Sequence, residues 1–295
     1  MPYRPNFRPT TPTASTPGRR GRHAGLRVAL LTGAVATLLA VGAAGPAAAA
    51  VTGTPERSGA GTTRTARVTT AVLDLDHPAR KPQVRGQDVP YDTASIIKVD
   101  ILAALLLQAQ DTGHGLTPQE RTSATAMIEH SDNDAATALW RQIGQASGLE
   151  AANKRLGLSS TVGGAGGMWG LTQTTATDQI SLLHAVFAGG GTSSASGSAL
   201  TETSRNYIRT LMTRIAAGQS WGVSAASDAG WALKNGWLQR STTGLWDINS
   251  VGEVTSGTHH YLVAVLSDGN ASMAGGIAAV ERAARTAVSS AGAAG

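Results

Sequence analysis

The sequence predicts a mixed α/β fold of the α+β kind, an antiparallel sheet flanked by helices with an inserted all-helical subdomain. Three observations predict it. A β-branched, alternating segment, VTTAVLDLD (68–76), reads as a strand near the front of the chain. Three more, WALKNGWL (231–238), GLWDINSVGEV (244–254) and HHYLVAVLSDG (259–269), read as antiparallel strands near its end. The region between them carries helix-start signals and apolar residues at helical spacing. Strands from both ends and helices from the middle are most simply satisfied when the terminal segments close one sheet around a helical insertion.

The front of the chain is set apart by charge. The formal net charge of the 295 residues is +5. Arg4, Arg8, Arg19, Arg20, Arg22 and Arg27 all lie in residues 1–50, which hold no acid, so the remainder is near −1. Residues 1–50 read as an export signal: a basic front, an apolar run from Leu26 to about Val41, and small residues at Ala47–Ala50 suited to cleavage. Secretion and no membrane contact after cleavage are the expectation. Residues 51–66 (VTGTPERSGAGTTRTA) read as a flexible linker. Residues 67–295 form the expected domain, with a sheet part at 67–94 and 226–295 and a helical part at 95–225. No basic stripe with interleaved aromatics is present, which argues against nucleic acid. The chain has no cysteine, so disulfides and thiol chemistry are excluded.

Taken in order, His77–Val89 reads as a loop or hairpin, with Pro, Gly and charge. A helix starts near Ser95, and Ile96, Ile97, Ile101, Leu102, Leu105 and Leu106 make it apolar nearly all round, which predicts a buried central helix. Thr117-Pro118-Gln119-Glu120 is a capping Thr followed by Pro and Glu at helix-start positions. Ser131-Asp132-Asn133-Asp134 heads a further helix, and 149–157, 174–188 and 201–217 also read helical. Between them, 161–173 is a Gly-rich loop and 189–199 a low-complexity loop. A last helix runs from Ala271 to about Ser289.

Three short motifs stand in this order: Ser95-Ile96-Ile97-Lys98, Ser131-Asp132-Asn133 and Lys234-Asn235-Gly236. Each has a bland reading alone, as a helix cap with a solvated lysine, an N-cap, and a hairpin turn. Their conjunction differs: the first opens a buried helix, the second heads a helix in the all-helical part, and the third lies on or beside a strand. That order and context resemble the serine β-lactamases and penicillin-binding proteins, class A β-lactamases in particular. Thr93-Ala94-Ser95 and the stretch IEHSDNDAATALWRQIG (128–144) carry the resemblance further, and it covers roughly residues 67–290.

The resemblance implies a β-lactamase/transpeptidase-like fold and an acyl-serine enzyme. Ser95 would be the nucleophile and Lys98, on the same helix face, its base. Desolvation and nearby positive charge can lower a lysine pKa enough for that role. Lys234 would supply that charge and attract a substrate carboxylate, and Ser131 would relay a proton to the leaving nitrogen. Asn133 would bind the substrate amide, while Asn235, Gly236 and Trp237 would line the binding strand. The N–H groups of Ser95 and Trp237 would form an oxyanion hole. Asp132 would be structural.

Two features depart from that family. Asn235 stands where Thr or Ser is usual, and Trp237 where a small residue is usual. In class A enzymes a glutamate and an asparagine on the loop before Thr174 hold the water that releases the acyl group. Here residues 159–173 read SSTVGGAGGMWGLTQ, with no acid, and Trp169 and Gln173 are the only large polar or aromatic candidates. Glu150 and Asp178, the nearest acids, sit in helical stretches. Ser95, Lys98 and Ser131 suffice to propose acylation, whereas deacylation lacks an evident group.

The seven histidines show no metal-ligand spacing, and His259 and His260, as strand neighbours, would point to opposite faces. Neither a metal nor a cofactor is expected. Trp221, Trp231, Trp237 and Trp246 gather around the C-terminal strands, as sheet packing or as a cleft lining. The expected partner is a small-molecule β-lactam or a cell-wall peptide, and the expected state a monomer. The leading reading is an exported serine acyl hydrolase of the class A type. A D,D-carboxypeptidase or penicillin-binding-like enzyme, and a non-catalytic binding protein on the same fold, are the alternatives.

Overall fold

A computed structural model describes residues 65–77, 79–188 and 198–293, all within one unit spanning residues 61–295. The export signal, most of the linker and the 189–197 part of the second loop lie outside the described residues. Among those described, no helix is long and apolar enough to cross a membrane.

Five strands make one antiparallel sheet: β1 (Arg67–Asp74), β2 (Gln83–Arg85), β5 (Trp231–Gln239), β6 (Trp246–Ser256) and β7 (His259–Asn270). Their spatial order is β2-β1-β7-β6-β5, so β5 is an edge strand and the first long strand lies beside the last. The β1–β7 register runs from Arg67 opposite Asp268 to Asp74 opposite Tyr261. This is the closure of the sheet by both ends of the chain that the strand pattern predicts. A two-stranded pair, β3 (Tyr91–Asp92) with β4 (Gln173–Thr174), ties the segment before Ser95 to the end of the Gly-rich loop.

Strand periodicity separates two cores. Val72, Leu233, Val254, Tyr261 and Val263 face α7 (Met273–Ala293) and pack with its Val280, Ala284 and Val288. Ala71, Ala232, Val251, Leu262 and Ala264 face the helical layer on the other side. That layer is centred on α1 (Ile97–Thr112), in which every residue from Ile97 to Leu107 is buried. Gly113 ends it in the left-handed conformation at φ 70°. Around it lie α2 (Pro118–Glu129), α3 (Asn133–Gln142), α4 (Gln145–Leu156), α5 (Ala176–Phe187) and α6 (Glu202–Met212).

Side chains start the helices where the sequence signals them. Thr117 and Glu120 form a reciprocal capping box on α2. Asp132 accepts from the Ala135 amide at 2.7 Å and caps α3, a structural part as expected for it. The differences lie at ends and loops. A short 3₁₀ turn, Ala94–Ile96, precedes α1, α4 starts four residues earlier than its periodicity suggests, and α6 stops at Met212 rather than near 217. Lys234-Asn235-Gly236 is not a turn. It lies inside β5, paired with Val251, Ser250 and Asn249 of β6. Its glycine answers to the approach of another backbone, not to a hairpin.

Candidate active site

Ser95 stands in the 3₁₀ turn at the head of α1, half-buried, and its hydroxyl makes no hydrogen bond among the described residues. Four features hold that turn. The Thr93 amide donates to the Thr172 carbonyl at 2.8 Å, which joins the turn to the Gly-rich loop. Buried Asn249 on β6 donates to the carbonyls of Asp92 (2.9 Å) and Thr93 (3.1 Å). The Asn249 oxygen accepts from the Ser267 amide at 3.0 Å, so the turn is bolted to two central strands. Gly236 meets the turn directly: a Cβ there would lie 2.7 Å from the Thr93 carbonyl oxygen and 2.8 Å from the Ser95 nitrogen. Any side chain at 236 would push β5 off the head of α1.

Lys98 follows one turn along and is fully buried. Its Nζ donates to Ser131 O (2.6 Å), Ser131 Oγ (3.1 Å) and Asn133 Oδ1 (2.8 Å). Lys234, also fully buried, reaches the same hydroxyl from β5, with Nζ 3.1 Å from Ser131 Oγ and 3.0 Å from Asn235 O. Two lysine side chains from different elements therefore converge on one serine oxygen. Burial pulls the Lys98 pKa down to about 8, against a small opposing pull from Asp132. Burial pushes Lys234 well below the usual lysine range, and the neighbouring Lys98 charge adds to that. Asp100, two residues along α1, brings little compensating charge: complete burial raises its pKa to about 8, so it is mostly neutral at pH 7.

The backbone is strained at this point. Among the described residues, three other than glycine have left-handed φ: Ala94 (47°), Ser131 (56°) and Gln145 (57°). The first precedes Ser95 and the second is the shared serine itself. Such conformations cost on the order of 1–3 kcal/mol each and persist where surrounding contacts over-determine them.

The structure thus brings together Lys98, Ser131, Asn133 and Lys234, with the Ser95 turn against Gly236. It places two other expected residues elsewhere. Asn235, expected to line the binding strand, lies opposite Ser250 on the α7 face and is fully buried. Its amide nitrogen donates to the carbonyls of Gln219 (2.7 Å) and Trp221 (2.8 Å), so it anchors the 217–221 segment. The Trp237 side chain, expected on the binding strand, packs with that same α7-side core and stands 6.1 Å from Trp221 ring to ring. The alternation along β5 explains both: Lys234 and Gly236 face one side, Asn235 and Trp237 the other.

The Gly-rich loop contributes an aromatic wall. Trp169 sits in the 3₁₀ turn Trp169–Leu171, its Nε1 donating to Thr137 Oγ1 at 3.1 Å. Lys98 Nζ lies 4.9 Å from its ring centroid, a cation–π contact. Neither nearby acid substitutes for a loop carboxylate. Asp178 accepts from Ser160 N (2.8 Å) and Thr161 Oγ1 (2.7 Å), which fixes the loop base, and Glu150 pairs with Lys154 on the surface. Sequence reasoning missed Asn249; its only trace is a polar residue inside an otherwise strand-like segment.

Comparison with known proteins bears on the family and the fold. The profile of the beta-lactamase enzyme family matches residues 110–291, more than half of the chain. The chain belongs to the beta-lactamase enzyme family. The matched range holds Ser131, Asn133 and Lys234 and begins after Ser95 and Lys98. Solved structures share that fold. A β-lactamase from Chitinophaga pinensis DSM 2588 superposes with a TM-score of 0.64 at 18% identity, covering 78% of this chain and 95% of that one. The TLA-1 extended-spectrum β-lactamase gives 0.63 at 16% identity, covering 76% and 93%. PBP-A, as an L158E mutant in an acyl-enzyme complex with penicillin G, gives 0.61 at 19% identity, covering 76% and 90%. A protein of Mycobacterium tuberculosis (strain ATCC 25618 / H37Rv) described as "Putative lipoprotein LppW" is 29% identical over 123 residues. The match spans 42% of this chain and only 39% of that relative's length.

Proposed function

We propose that this family member is an exported serine acyl hydrolase that forms an acyl-enzyme on Ser95 with β-lactams or related amides, and releases it slowly. The observation that carries the reading is the convergence of Lys98 and Lys234 on Ser131 Oγ, at 3.1 Å each, beside the Ser95 turn. Lys98, with its pKa near 8, has an appreciable neutral fraction at neutral pH. In that form its Nζ takes the Ser95 proton as Oγ bonds to the carbonyl carbon. The carbonyl electron pair moves to oxygen, where the N–H groups of Ser95 and Trp237 receive it. As the tetrahedral centre collapses, the C–N bond breaks and the nitrogen takes a proton from Ser131 Oγ. Lys98 returns its proton to Ser131. Lys234 holds the Ser131 hydroxyl and attracts the substrate carboxylate; Asn133 binds the substrate amide.

Release is the weaker half. The loop side of Lys98 offers the Trp169 indole, and the loop from 159 to 173 contains no carboxylate to activate water. This favours a second reading of the same chemistry, a penicillin-binding enzyme acting on cell-wall peptides and trapped by β-lactams. Export rests on the basic, apolar and alanine-rich order of residues 1–50 and on the lipoprotein description of a relative. We take residues 67–295 as the catalytic domain, joined to that signal by the 51–66 linker.

The test is chromogenic cephalosporin hydrolysis beside D-alanine release from a D-alanyl-D-alanine peptide, each with wild type and Ser95→Ala. Slow cephalosporin turnover lost in the variant supports the main reading, and peptide cleavage supports the second. No Ser95-dependent reaction on either substrate, at a protein concentration that would show one turnover, rejects both and leaves a binding protein.

A further inference from the structure

On the opposite face of the sheet from the two lysines, three side chains meet at the end of β1 and the start of β7. Asp74 closes β1 with its side chain 5% exposed. Its Oδ1 accepts from the Asp76 amide at 2.9 Å, which turns Oδ2 toward two imidazoles. His77 Nδ1 lies 2.7 Å from Oδ2, and His259 Nδ1 lies 3.8 Å from it. The two rings stack at 5.7 Å between centroids with their planes 16° apart. His259 Nδ1 is enclosed and has no hydrogen-bond partner, although its ring edge reaches solvent. Asp76 Oδ2 stands 3.8 Å from the same nitrogen and is held by the His260 amide at 2.8 Å. Strand alternation sends His260 away, to Glu253. His259 and His260 therefore cannot share an ion, whereas His77, coming in from the loop after β1, stands beside His259.

We propose that Asp74, His77 and His259 bind a divalent transition-metal ion of the zinc class, with Asp76 in reach as a further oxygen ligand. The donor set is right for that class: imidazole nitrogens with a carboxylate select zinc and its neighbours over calcium or magnesium. The geometry is close. The three ligand atoms all lie within 4.8 Å of one another. Ligands about 2.0–2.1 Å from a tetrahedral ion stand roughly 3.3 Å apart, between the two separations seen here. Binding opens the His77–Asp74 contact slightly and draws His259 in, giving its unpartnered nitrogen a ligand bond. The supporting shell is present too, since the Asp74 carboxylate is oriented by a backbone amide. Arg80 is the built-in competitor, with Nη1 4.0 Å from Asp74 Oδ2 and no hydrogen-bond partner of its own. The ion would clamp the loop after β1 to the start of β7, away from the Ser95 cleft.

The experiment is calorimetric titration of the chelator-treated full chain with Zn²⁺, paired with thermal melts at rising Zn²⁺. One ion per chain, with a melting temperature that climbs with Zn²⁺, is the expected result. His77→Ala and His259→Ala should each weaken binding more than about a hundredfold. Arg80→Gln should bind as tightly or more tightly, and His114→Ala, distant in the fold, should match wild type. Cooperative melting of the variants without metal shows that they fold. Absence of one-to-one binding in the wild type, or binding that survives both histidine substitutions, overturns the proposal.

Discussion

The two walls around Lys98 differ in kind. One wall, made by α1, the 131–133 turn and β5, sets two buried lysines and an asparagine around one serine hydroxyl. The other, the 159–173 loop, sets an indole against the same lysine and has no acid along its length. On the proposed function, the first wall would move a proton off one serine and onto a leaving nitrogen. The second contains nothing that would take a proton from water. Forming an acyl bond and breaking it would then fall to separate segments.

The comparison breaks first at Lys98. Lys98→Met should slow acylation by roughly a thousandfold, in the range expected for loss of a general base, while the melting curve stays cooperative. Single-turnover rates with a penicillin check it, and a rate near wild type would move the base to another group. Next comes the loop. Trp169→Glu puts a carboxylate beside Lys98 and should speed release of the acyl group by about a hundredfold. The recovery of free enzyme after a penicillin pulse measures this, and unchanged recovery would mean that the loop is not what limits release.

The pH profile sharpens the first wall. The base form of a group with pKa about 8 grows with pH, so the acylation rate should rise about tenfold per unit below 8 and level off above it. A flat profile from pH 6 to 9 would show that Lys98 does not supply the base. The smallest effect on chemistry belongs to Asn249. Asn249→Ala removes the side-chain hydrogen bonds to the Asp92 and Thr93 carbonyls and to the Ser267 amide. It should cost about 1–3 kcal/mol of stability by denaturant melts and slow acylation only a few-fold.

Much of this was legible in the amino-acid order. Period-2 alternation at 68–76 and 259–269 marks two strands that pair in the sheet, and the all-round apolar run after Ser95 marks the buried helix. The three motifs name the two lysines that converge on Ser131, and Ser95 at the head of the buried helix. What stayed hidden depends on pairing across the chain. Asn235 and Trp237 face away from Lys234 and Gly236 because β5 alternates, and the Asn-Gly pair, a turn signal when read alone, lies inside the strand read over 231–238. Asn249 acts through contacts with residues more than 150 positions away, which no local pattern reports. His77 and His259 meet only because the first long strand pairs with the last.

Intact-protein mass spectrometry after exposure to a penicillin, followed by peptide mapping, tests the central claim most directly. One penicillin should add per chain, map to Ser95, be absent in Ser95→Ala, and persist over many minutes. An adduct on another residue, or neither adduct nor turnover at saturating penicillin, would contradict it.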